Sequence, residues 1–69
     1  MNYLIWSYEH DAWWGPNHCG YTNDLEQAGR YSAVDTGEIV TRSIMMEELA
    51  VPEFIAVKSG KPKYHPYIG

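Results

Sequence analysis

Residues 2–8, NYLIWSY, are rich in β-branched and aromatic side chains and alternate with no polar face. In an extended strand Tyr3, Ile5 and Ser7 fall on one side and Leu4, Trp6 and Tyr8 on the other. Both sides are largely apolar, so the pattern predicts a central strand covered on both faces. Glu9, His10 and Asp11 interrupt it, and Ala12–Trp14 resumes an extended pattern. Gly15–Pro16–Asn17 is a turn cluster, in which Pro16 fixes φ and Gly15 can take a conformation closed to other residues, so a hairpin is predicted. Neighbours on a strand face opposite ways, which sends one of Trp13 and Trp14 inward and leaves the other half exposed.

The pattern then changes period. NDLEQAG (23–29) predicts a short helix capped by Thr22 or Asn23, with Asp24 and Glu26 favourable against its N-terminal dipole and Gly29 at its end. SAVDTGEIVTRSIMMEEL (32–49) predicts a second helix, with Ser32 as N-cap and Asp35 three residues on. Ala33, Gly37, Val40 and Ile44 form its apolar stripe, and close approach to the sheet is the expected reason for a glycine at 37. Its β-branched residues leave a strand around EIVTR as the rival. AVPEFIAVK (50–58) predicts a last strand, with Pro52 near its start or on an edge. Residues 59–69, SGKPKYHPYIG, predict an extended, flexible tail behind a compact domain of residues 1–58. The expected fold is α+β: a small single domain with an antiparallel β-sheet of about three strands packed with two helices.

Composition limits what such a domain can hold. With 69 residues there is room for one core, and the three Trp, six Tyr and one Phe must fill most of it. Cys19, the single cysteine, makes no internal disulfide, there is no basic leader and no apolar run of about 20 residues, so a soluble cytoplasmic protein without membrane contact is expected. Charge is uneven: all nine acids lie within residues 1–53 against Arg30 and Arg42, a net −7, while Lys58, Lys61 and Lys63 follow. An acidic body disfavours direct nucleic-acid binding and favours a basic partner.

The stretch HDAWWGPNHCGYT (10–22) holds the candidate chemistry. His10, Asp11, His18 and Cys19 have ligand and nucleophile types, and a small metal-assisted or thiol enzyme is one reading of them. Their spacing matches no recurrent zinc pattern, His18 and Cys19 would point to opposite faces of a strand, and the same residues serve as ordinary turn residues. The six glycines form no phosphate-binding loop. No cofactor or metal is expected. A binding module is the other reading, either an inhibitor of a basic nucleic-acid-handling protein or an accessory protein that binds another host protein. Asp35, Glu38, Glu47, Glu48 and Glu53 cluster on and just past the second helix, where a row of carboxylates can imitate a nucleic-acid backbone; Trp13 is assigned as the aromatic anchor beside them.

Residues 3–32, YLIWSYEHDAWWGPNHCGYTNDLEQAGRYS, resemble a family of very small phage and prophage proteins with the pattern YLIWS-x-E-H-x-A-W-W-x-P-N-x-x-G-Y-T-x-D-x-x-x-A-G-R-Y-S. The resemblance covers the first half of the chain and brings no catalytic motif. It implies an anti-CRISPR protein, most similar to inhibitors of type I-C systems. On that footing the expected partner is a basic DNA-handling protein, the large, PAM-reading subunit of Cascade, and the expected effect is a block of target DNA binding. A monomer is the expected state.

Overall fold

In the computed structural model, residues 1–42 and 47–62 are described. They form strands β1 (Tyr3–Ser7), β2 (Ala12–Trp14), β3 (Tyr21–Thr22) and β4 (Glu48–Pro52), with helices α1 (Ala33–Thr41) and α2 (Glu53–Ser59). The sheet is antiparallel in the order β3-β2-β1-β4. The fold is thus α+β as expected, with four strands rather than about three.

β1 is central, and its alternation divides the core in two. On one face Leu4, Trp6 and Trp13 pack with Val51, Ala28 and Ala56 of α2. Trp6 and Trp13 are cross-strand partners whose rings meet edge to face at 4.9 Å, a favoured aromatic geometry. On the other face Ile5 packs with Tyr31 and with Ile39 of α1, and Trp14 and Ala50 flank them. The two-sided burial read from NYLIWSY is present: Leu4, Ile5, Trp6 and Ser7 are all at most 1% exposed.

Three elements differ from the sequence expectation, each for a physical reason. Residues 24–28 make one turn and no helix. Thr22 Oγ1 accepts from the Asp24 N–H, Asp24 Oδ1 accepts from Glu26, and the Asp24 carbonyl accepts from Gln27 and Ala28. The chain then returns to the sheet, because the Gly29 N–H donates to the Trp14 carbonyl and Tyr31 exchanges two 2.8 Å bonds with Tyr3. Too few residues lie between these anchors to propagate a helix.

α1 starts as expected, with Ser32 Oγ accepting from the Asp35 N–H at 3.1 Å, but its last helical residue is Thr41. Glu48 and Leu49, expected at its end, instead pair with Ser7 and Trp6 and give the central strand its second neighbour. Its buried residues are Thr36 and Ile39, not the stripe of Ala33, Gly37 and Val40; Ile44 lies outside the described residues. Among the described residues nothing approaches within 4 Å of a Cβ built on Gly37, so close packing does not account for that glycine.

The last strand stops at Pro52, and EFIAVKS is helical. Pro52 pairs with Tyr3, the first residue of β1, and the β1–β4 ladder ends at that pair. Pro52 is at the end of this strand rather than its start, on a sheet edge, where a missing N–H costs little. The Glu53 N–H donates to the Asn2 carbonyl, and Ala56, fully buried, lets α2 lie flush on the sheet. Of the expected tail, Ser59 ends α2, Gly60 caps it, and residues 63–69 lie outside the described residues.

Candidate functional site

The β2–β3 connection is built from a turn of 3-10 helix, Pro16–His18, closed by the Gly15 N–H donating to the Gly20 carbonyl. Asn17 and His18 take φ of 58° and 61°, and Asp11 in the β1–β2 loop takes 52°. Asp, Asn and His are the side chains that tolerate this left-handed region best, so all three have a turn role. Gly15 is extended, not left-handed; a Cβ there would come within 2.2 Å of the Cys19 carbonyl oxygen, and close approach is the reason for glycine.

Tyr31 fixes this loop on the sheet. Its hydroxyl donates to the Gly15 carbonyl and accepts from the His18 N–H at 3.1 Å. The rings of Trp14, His18 and Tyr31 meet edge-on, with centroids 5.4–6.3 Å apart. His10 takes another partner: it stacks on Tyr21 at 3.8 Å and lies 3.4 Å from Glu9. The two histidines are therefore held by separate aromatic contacts, and Cys19 is exposed. Among the described residues no three His, Cys, Asp or Glu side chains converge as metal ligands.

The tryptophan pair divides as the alternation requires, but in the opposite sense from the assignment of Trp13 as anchor. Trp13 is 1% exposed and belongs to the α2-side core, so it presents nothing to a partner. Trp14 is the half-buried one, on the α1 side. Nothing in the dipeptide WW told them apart; the register Trp6↔Trp13 does, by placing Trp13 on the face of Trp6.

Trp14 and His18 form one wall of a groove of about 230 Å³, lined further, among the described residues, by Glu38 and Ile39 of α1, by Arg42 just past its end and by Glu48 of β4. Glu38 and Glu48, ten residues apart in the chain, are brought to one cleft because α1 crosses the sheet face on which Ala50, two residues beyond Glu48, also packs. Asp35 is exposed in the first turn of α1, and Glu47 leads into β4, its carbonyl accepting from the Tyr8 N–H.

Glu53 does not join them. It belongs to α2, the helix that packs on the Leu4–Trp6–Trp13 face. There its carboxylate bonds Arg30 Nε at 3.0 Å and Asn2 at 3.4 Å. Arg30 in turn donates to the carbonyls of Leu25 and Ala28, so Glu53 anchors the 24–28 turn. The five-acid row expected from the sequence is therefore broken at Glu53. The sequence offered His18 only as a candidate for metal or thiol chemistry and Arg42 only as a charge of the acidic body; the crossing of α1 over the sheet brings both to the groove.

The fold is that of a small four-stranded α+β domain with an aromatic and acidic groove on one face. Comparisons with protein-family models, curated proteins and solved structures return no match. No helix among the described residues is long and apolar enough to cross a membrane.

Proposed function

We infer that the protein is a binding module whose α1 face docks on a basic protein surface, and, following the resemblance of residues 3–32, that it is a phage-derived inhibitor of a type I Cascade. The observation that carries the reading is the convergence of Glu38 and Glu48, from a helix and a strand, on the half-exposed Trp14. Asp35 and Glu47 extend the negative charge beyond the groove. An aromatic anchor ringed by carboxylates suits a partner that carries cations for a phosphate backbone. Trp13 and Glu53 have no part in it. In this account the carboxylates occupy the place of DNA phosphates on the PAM-reading subunit and target DNA is excluded.

The test is a pull-down of tagged protein from cells expressing a type I-C Cascade, with and without PAM-containing duplex. Recovery of Cascade together with loss of bound duplex is the expected result. Recovery of Cascade with its duplex retained would contradict DNA exclusion, and recovery of no Cascade subunit would contradict the partner.

A further inference from the structure

We propose that the outer edge of β4 pairs with β4 of a second copy of this chain, so that the two molecules share one continuous sheet. The inference stands apart from the reading of the α1 face.

The register decides which backbone groups face that edge. Tyr3 exchanges both of its bonds with Tyr31, on the side of β1 away from β4. In an antiparallel ladder the sense alternates, so the N–H and C=O of Leu4 and Trp6 turn to β4 and meet Val51 and Leu49. Tyr8 donating to the Glu47 carbonyl, and Glu53 to the Asn2 carbonyl, keep the same alternation at the two ends of β4. The N–H and C=O of Ala50, between Leu49 and Val51, therefore point away from β1. Among the described residues no strand lies beyond β4 to take them. Pro52 shares the outward sense of Ala50, which is where a residue without an N–H fits a sheet.

Symmetry selects the occupant. When β4 pairs antiparallel with itself about Ala50, the two Ala50 residues exchange both bonds and Leu49 faces the partner's Val51. Pro52 then falls at the margin and leaves the central pair intact. The two-fold axis stands upright on the sheet, so both α2 helices lie on one side of the seam. On that side Ile55, 40% exposed, lines an apolar groove with Leu49 and Val51, and the pairing brings the two flanks side by side. A domain this small hides little of its surface alone, and a second copy is one remedy. An edge of five residues is about 17 Å long. With one helix flank it falls short of the roughly 800 Å² per copy of a standard interface, so the pairing is weak, half complete on the order of 100 μM. The α1 helices lie on the opposite face and stay uncovered.

The experiment combines sedimentation velocity of the full chain with hydrogen exchange of its assigned amides, both at about 10 μM and about 1 mM, either side of that midpoint. The parent should sediment as a monomer at the low end and mostly as a dimer at the high end. The Ala50 amide should exchange at least about fivefold more slowly at the high end, while Leu49 and Val51, bonded to β1, are protected at both. Ala50→Pro removes an N–H that the single molecule does not use in its ladder, and should weaken association at least about tenfold. Ile55→Lys should also weaken it with the fold retained, and decides the matter if Ala50→Pro does not fold. A parent that stays monomeric throughout would overturn the proposal. So would a dimer untouched by both substitutions, which pairs elsewhere, and an Ala50 amide already protected at the low end, which is covered within one molecule.

Discussion

One phenol links two backbone groups of the β2–β3 loop: the Tyr31 hydroxyl donates to Gly15 and accepts from His18. Both contacts are made by a residue that is 5% exposed, so its loss strands groups away from water. Tyr31→Phe keeps the ring and removes only the hydroxyl. It should cost about 1–3 kcal/mol in urea unfolding, the penalty for an unmade buried hydrogen bond, and should broaden the His18 amide signal. A variant as stable as the parent, with His18 unchanged, would mean the loop is held by other contacts. This clamp was not legible in the sequence. AGRYS marks a turn, but that its tyrosine reaches back to Gly15 follows only from the Tyr3–Tyr31 bridge. Gly29 is of the same kind: a Cβ there would meet the Gly15 carbonyl oxygen at 2.7 Å and the Tyr31 ring at 2.8 Å, a packing reason where the sequence suggested a helix end.

Among elements, legibility followed the strength of the local signal. β1 was readable on both faces because strand alternation depends only on neighbouring residues, and the start of α1 was readable because Ser32 caps it. The end of α1 and the conversion of EFIAVKS to helix were not, since both depend on where β4 finds its partners along β1. β-branched Ile55 and Val57 argued for a strand, and tertiary context overrode that propensity. Gly37 gives a test at this scale. It lies in the exposed middle of α1, outside the left-handed region, with open space at its Cβ position among the described residues. Gly37→Ala should therefore stabilise the protein by about 0.5–1 kcal/mol, the difference in helix propensity, read as a raised midpoint in thermal or urea unfolding. A lowered midpoint would mean that α1 is closely packed at that turn.

For the whole molecule, the sheet sorts the acids into two roles. Glu38 and Glu48 meet on the α1 face, whereas Glu53 ties α2 to Arg30 and the 24–28 turn. In sequence the five acids read as one row, because helix and strand positions of like charge look alike until the faces are known. Of the residues that line the groove, Glu38 and Glu48 were among the binding candidates, His18 among the chemical ones and Trp14 beside the chosen Trp13; the groove itself exists only once α1 is laid across the sheet. The same division gives opposite expectations for variants that are alike in charge: changes at Glu38 and Glu48 act on binding, and a change at Glu53 acts on stability.

The most direct measurement of that division is calorimetric titration of the isolated Cascade large subunit with the parent protein, Glu38→Lys/Glu48→Lys and Glu53→Gln, each at low and at physiological salt. Binding through the α1 face predicts at least about tenfold weaker affinity for the double charge reversal, affinity within about twofold of the parent for Glu53→Gln with a lowered unfolding midpoint, and weaker parent binding as salt screens the charges. Parent-like affinity in the double variant, or binding indifferent to salt, would contradict the account.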